Sequence, residues 1–389
     1  MTAAGRPWSG AGPEGPGTGD PQAEAGPGVV AGLLGGARPE DVRVVEDQAP
    51  RMLTWRYERE RPQLVTLTSK AVSAQWNAET DVDWSTPVDP EAMVVAMGDA
   101  ALPPVYRVAA QLPGSPLAGW GEREFRRLAV ELLTARLSQF LHGEQGAMLV
   151  AAKLVETVPW IDAKYYAATQ AMDEARHTEV FARYLQEKLG QAYPMTPFLE
   201  AQITDLLADG RWDIAYLGMQ IVIESLALAA FGELRRTVQE PLMASLLRYI
   251  MADEARHVAF GILSLAELYG GLSAKELRER QEFLLEATLH SRARATTPEV
   301  WERLGIEVAD VLPCLREATE RTGLSPAAQF RRAFFAKLVP NVAKLGLLDA
   351  NDGWLRERWA EAGLLDQVEE LDTATAWLAE QGTGQRVGQ

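Results

Sequence analysis

The sequence predicts an all-α fold: a four-helix bundle with additional helices on its C-terminal side. Three observations predict it. From about residue 122 onward apolar residues recur at helical spacing, and Val, Ile and Thr are not gathered into alternating runs. The pentapeptide Asp-Glu-Ala-Arg-His occurs twice, at 173–177 and 253–257, 80 positions apart. A glutamate on an apolar stripe stands 30 residues before each motif glutamate, Glu144 before Glu174 and Glu224 before Glu254.

Taken in order, residues 1–40 are rich in Gly and Pro and read as a disordered tail. The tail contains Gly10-x-Gly12-x-x-Gly15, but no strand precedes it and no helix follows it, so it is not a dinucleotide fingerprint. Residues 41–120 read as an irregular segment that wraps the domain after it, with Leu64–Thr68 a candidate short strand and Trp76 and Trp84 as anchors. Helices are expected over about 122–156, 160–189, 211–236 and 241–269, which makes 121–270 the bundle. Residues 271–389 supply further helices at about 273–296, 299–321, 325–345 and 354–380, packed on the bundle.

The glutamates carry the chemistry. Glu144 sits among Leu137, Phe140, Leu141, Met148 and Ala151, and Glu224 among Leu217, Ile221, Leu228 and Phe231. A carboxylate on a buried face is costly without a positive partner, and neither stripe carries a nearby Lys or Arg. Metal cations are the natural compensators. Glu174 and His177, like Glu254 and His257, are three apart and share a helix face. The midpoint between Glu144 and Glu174 is Pro159, and that between Glu224 and Glu254 is Gln239, beside Pro241. Proline suits a helix start and breaks an interior. If each hairpin turns at its midpoint, the chain climbs and descends about 22 Å at about 1.5 Å per residue, which returns both glutamates to one level. Four carboxylates and two imidazoles then meet at one height of the bundle. That set neutralises two divalent cations and suits iron or manganese.

Flanking residues support the ligands. Asp173 and Asp253 can each accept the free N–H of a ligand histidine and fix its tautomer, and Arg176 and Arg256 can pair with those aspartates. The remaining histidines are peripheral: His142 is two residues from Glu144 and faces elsewhere, and His290 lies among charges.

Composition narrows the partners. The net charge of -16 repels nucleic-acid phosphates and anionic lipid, so neither is expected to bind. Cys314 is the only cysteine, which excludes an internal disulfide and a cysteine-ligated cluster. No apolar run is read as long enough to span a bilayer, and the N-terminus lacks the pattern of a signal peptide, so a cytoplasmic location is expected.

With these motifs in place, residues 122–270 resemble the carboxylate-bridged di-iron oxygenases of the ferritin-like superfamily. The doubled D-E-x-R-H signature is most similar to the hydroxylase subunits of bacterial multicomponent monooxygenases. The resemblance implies that Glu144, Glu174, His177, Glu224, Glu254 and His257 ligate two iron ions, with a Mn/Fe pair as a variant. It implies O2 as co-substrate and hydroxylation, N-oxygenation or desaturation of a small organic molecule. An external electron donor is implied, because no flavin or nicotinamide motif is present, and a homodimer is compatible with the superfamily. A role in secondary metabolism is an analogy with isolated single-chain oxygenases. Ala147, Met148, Phe181, Ala227, Leu228 and Ile250 lie about a turn from ligands and are the expected substrate pocket, whose lining favours an apolar or aromatic portion in the substrate.

The chain departs from its relatives at three points. Phe181 stands where ribonucleotide reductase small subunits carry a radical tyrosine, and Leu228 where multicomponent hydroxylases carry a threonine. Ile250 stands where arylamine N-oxygenases carry a third histidine. A radical-generating or Mn/Fe oxidase and a non-enzymatic metal-binding scaffold remain the alternative readings.

Overall fold

Helix α1 (Pro62–Ser73) begins where Pro62 fixes the first helical residue, and it buries Leu64, Leu67 and Ala71 at i, i+3 and i+7. The computed structural model describes residues 45, 49–290 and 297–365; the tail expected over 1–40 and the end of the last expected helix lie outside these. The described residues from 49 onward belong to one compact unit. Leu64–Thr68 is thus helical and not a strand. The proline start and the helical spacing of its apolar residues outweigh the β-branched Val65, Thr66 and Thr68. Two short helices follow, α2 (Pro90–Met97) and α3 (Val105–Ala110), so the segment before the bundle is partly regular.

The bundle comes next. Helix α4 (Glu122–Thr157) opens with Gly121 N donating to Glu124 Oε2 at 2.9 Å, the half of a capping box that needs no N-cap side chain. Helix α5 (Ile161–Tyr184) runs back along it and ends in a π-helical turn, Leu185–Leu189. Helix α6 (Pro197–Ala208) then crosses the outside of α4. The third bundle helix is composite: α7 (Trp212–Tyr216), a π-helical stretch (Leu217–Ile223) and α8 (Glu224–Thr237). The fourth, α9 (Pro241–Tyr269), starts under Glu240, whose carboxylate accepts from Leu242 N and Met243 N, both at 2.7 Å. The chain turns at 158–160 and 238–240, around the two midpoints of the glutamate intervals.

Helices α10 (Ala274–His290), α11 (Pro298–Arg303), α12 (Val308–Thr322), α13 (Pro326–Lys344) and α14 (Ala350–Glu361) complete the fold. The stretch expected as one helix over 299–321 is two, broken near the left-handed Gly305. No strand occurs among the described residues. Trp212–Thr237 is, by length and composition, apolar enough to cross a membrane, contrary to the sequence reading. Of its most apolar window, 83% is buried inside the protein, so that apolarity forms core.

Two large apolar clusters flank the level of the motifs. One gathers Phe181, Phe231 and Ile250 with residues of the segment before the bundle, and the other gathers Tyr166, Phe260 and the C-terminal helices.

Candidate metal centre

The six predicted residues converge, each from its own turn of a bundle helix. Glu144 comes from α4, Glu174 and His177 from α5, Glu224 from the first turn of α8, and Glu254 and His257 from α9. All six are buried, and both histidines and Glu174 expose no surface. They form two groups whose ligand atoms lie within 4.8 Å of one another: Glu144, Glu174, His177 and Glu254, and Glu174, Glu224, Glu254 and His257. Glu174 and Glu254 belong to both. Around His177 Nδ1 lie Glu144 Oε2 and Glu254 Oε1, each at 3.2 Å, and Glu174 Oε2 at 3.3 Å. Around His257 Nδ1 lie Glu254 Oε2 at 2.9 Å, Glu174 Oε1 at 3.1 Å and Glu224 Oε1 at 3.5 Å.

The aspartates act crosswise. His177 Nε2 lies 3.0 Å from Asp253 Oδ2, and His257 Nε2 lies 3.3 Å from Asp173 Oδ2. Each arginine pairs with the aspartate of its own motif, Arg176 with Asp173 and Arg256 with Asp253. The segment after α1 closes this layer. Gln75 Nε2 donates to Asp173 Oδ1 and Trp76 Nε1 to Asp253 Oδ2, both at 2.8 Å, and Arg176 donates to Gln75 Oε1. Trp76 also stacks on Tyr249 at 4.9 Å between ring centroids.

On the other side of the ligands two buried amides run in series. Gln220 Nε2 donates to Gln170 Oε1 at 2.8 Å. Gln170 Nε2 in turn donates to Glu174 Oε1 and Glu224 Oε1, both at 3.0 Å. Gln220 belongs to the π-helical stretch, and Gly261 makes room for it: a Cβ there would come within 2.5 Å of Gln220 Cβ. Sequence reading took Trp76 only as an anchor of the segment before the bundle and missed Gln75, Gln170 and Gln220. A signal existed for the last two, since each lies one turn before a ligand glutamate on an apolar stripe.

The electrostatics of the cluster favour positive charge. Burial, then the charge of Glu254, pushes the Glu144 and Glu224 carboxyls well above the usual range. Burial also opposes ionisation of Glu254, but hydrogen bonds and charge from Glu224 and the two histidines hold it well below that range. Glu174 is lowered as well: burial and Glu254 oppose its charge, and the histidines outweigh them. For His177 burial opposes protonation, yet hydrogen bonds to Asp253 and Glu144 raise it well above the ordinary value. His257 is raised likewise against its burial, by the charges of Glu174 and Glu254. Protons thus stand in for cations. Although His177 Nδ1 is close, Glu174 Oε2 accepts no well-aligned hydrogen bond among the described residues. Four buried carboxylates, two imidazoles and an orphaned carboxylate oxygen fit two divalent ions.

The expected pocket residues divide. Phe181 and Ile250 are fully buried, and Phe181 packs with Phe140 and Phe231 at 5.7 and 5.9 Å between centroids. Leu228 is buried, and Met148 and Ala227 are half-buried. Ala147 belongs to a separate small cluster with Val150, Leu206, Ala215 and Met219. His142 is bonded to the Tyr193 carbonyl at 2.9 Å, away from the ligands.

No protein-family model and no curated protein matches the chain. Among solved structures the chain is similar to R2-like ligand-binding oxidases. A variant with anaerobically reconstituted Mn/Fe cofactor is 18% identical over 74% of this chain and 94% of its own, with a TM-score of 0.43. A form with aerobically reconstituted Mn/Fe cofactor is 15% identical over 78% of this chain and 94% of its own, with a TM-score of 0.41. The fit to two metal ions follows from this chain's own residues.

Proposed function

We propose that the centre holds two metal ions, both iron or one manganese and one iron, and that the protein is an O2-dependent oxidoreductase. The observation that carries this reading is the sharing of Glu174 and Glu254 between two groups that each also own a glutamate and a histidine. Glu144 and His177 would complete one site, and Glu224 and His257 the other. Bound metals supply the O2 chemistry that amino-acid side chains lack.

The protein's own part is positional. Asp253 and Asp173 each accept the Nε2 proton of a histidine, which leaves Nδ1 free toward the carboxylates. Gln170 orients one oxygen each of Glu174 and Glu224. Phe140, Phe181 and Phe231, one or two turns from ligands on their own helices, pack together as an apolar wall, which suits a substrate with an apolar or aromatic portion. Hydroxylation, N-oxygenation or desaturation of such a small molecule is the reaction class we assign, with electrons from an external donor.

The test is O2 consumption by metal-loaded protein with a chemical reductant. Uptake that requires loaded metal and is lost in Glu254→Ala supports the reading. Metal-loaded protein that consumes no O2 refutes the oxidoreductase and leaves a metal-binding scaffold.

A further inference from the structure

An open cleft of about 250 Å³ lies between α6, the π-helical stretch and α10, at none of the six positions expected to line a pocket. This is just under the range of about 300–1,000 Å³ usual for ligand pockets, so it suits a small molecule. Its inner wall includes Gly218, Val222 and Ile223, the residues that lead into Glu224. Leu206, Ile223 and Phe283 line the cleft and also pack in or against the small cluster that contains Ala147, three residues from Glu144. A layer of apolar side chains therefore lies between the cleft and the face bearing Glu144 and Glu224. That layer is keyed in place by two glycines: a Cβ on Gly218 would collide with Leu206, and one on Gly146 with Ile203.

The polar groups of the cleft are of one kind. Gln202 Oε1 is shut off from solvent and accepts no hydrogen bond among the described residues. Asp205 lies one turn further along α6, and Glu286 faces it from α10. Neither carboxylate has an ion-pair partner among the described residues, whereas Arg211, the cleft's cation, is committed to Asp209 at 2.7 Å. The available groups are all acceptors, two of them charged. A smaller cavity that shares Gln202, Val222, Ile223 and Ala287 adds the half-buried Arg331. It has room for about 10 Å³, so an anionic head has little space there.

We propose that this cleft is an outer binding site for the substrate, and that it selects a small apolar molecule carrying a basic nitrogen. The apolar end points inward toward Leu206 and Ile223, and the ammonium pairs with Asp205 and Glu286 at the mouth. This rests on the oxidoreductase reading for the word substrate, but the binding itself does not need the metals to turn over.

The probes are octylamine, octanol and octanoate, titrated calorimetrically into metal-loaded protein. Two exposed carboxylates give an expected preference on the order of tenfold for the amine over octanoate. Asp205→Asn combined with Glu286→Gln brings the amine down to the level of octanol. Ala287→Trp, which fills the cleft from α10, removes amine binding while the metal content stays unchanged. Equal or tighter binding of octanoate overturns the proposal in favour of a head group at Arg331, and amine binding that survives Ala287→Trp places the ligand elsewhere and also overturns it. Metal content is read on the same samples. A chain that takes up octylamine with this dependence but holds no metal keeps the cleft and refutes the di-metal reading.

Discussion

His177 Nε2 lies 3.0 Å from Oδ2 of Asp253, an aspartate of the opposite repeat. The reciprocal pair, His257 and Asp173, is 3.3 Å apart. Each motif would thus ligate with its own glutamate and histidine and is oriented by the aspartate of its twin. The two helices α5 and α9 cannot shift against one another without breaking both contacts. Partners of this kind typically change metal affinity by about 10–100-fold when removed. Asp253→Asn is expected to weaken the site completed by His177 by an amount in that range and to leave the His257 site less affected. Asp173→Asn should do the reverse. Stepwise metal titration resolves the two.

Sharing makes the glutamates unequal. Glu174 and Glu254 serve both groups, whereas Glu144 and Glu224 serve one each. Glu144→Ala should lower the content by one metal per chain, and Glu254→Ala should abolish tight binding of both. Elemental analysis after desalting checks this, and equal losses in the two variants would contradict the shared arrangement.

The pH dependence has a definite sign. In the metal-free chain His177 and His257 are held above their ordinary values, so their contribution to stability is complete below about pH 6.5 and is lost as pH rises through the folded values. Glu144 and Glu224 are also raised, and their contribution is likewise lost on going up. Glu174 and Glu254 are lowered and act oppositely, but only on the acid side. Metal binding displaces these protons and tightens as pH rises. The Tm of metal-free protein should therefore fall between about pH 6.5 and 8.5, and the gap to the loaded protein should widen. Calorimetric scans with and without a chelator measure it, and a constant gap would contradict it.

Close packing at the amide pair sets a further expectation. A Cβ on Gly261 would meet Gln220 Cβ at 2.5 Å and Ile221 Cδ1 at 3.1 Å, at the root of the π-helical stretch. Overpacking of this kind costs about 1–3 kcal/mol. Gly261→Ala should lose that much stability and also weaken metal binding, because Gln220 carries Gln170 against Glu174 and Glu224. Gly146→Ala meets the side chain of Ile203 at 2.4–3.0 Å, away from the amide pair, so it should cost a comparable amount but leave the metals in place. Denaturant unfolding of the two variants, with metal content, separates them.

Much of this centre is legible in the sequence because its parts obey local rules. An i,i+3 spacing puts Glu and His on one face, and equal intervals around Pro159 and Gln239 return the glutamates to one level. The parts that are not legible are those fixed by tertiary packing. Nothing local says that Asp253 serves His177 and not His257. Gln75 lies about 100 residues from the aspartate and arginine of the first motif that it braces, and Trp76 lies 177 residues from Asp253 of the second. Gln170 and Gln220 escape the repeat, since the position 80 after Gln170 is Ile250. The π-helical stretch Leu217–Ile223 looks like ordinary helix, because its apolar residues suit either winding. Helix α6 was missed for lack of a motif, though Pro197 behind the capping Thr196 marks its start.

The most direct measurement is anaerobic titration of metal-free protein with Fe(II), with Glu174→Ala alongside. Two irons held per wild-type chain, and neither held tightly by the variant, is the predicted result. Wild-type protein that retains no more than a trace of iron or manganese would contradict a di-metal centre.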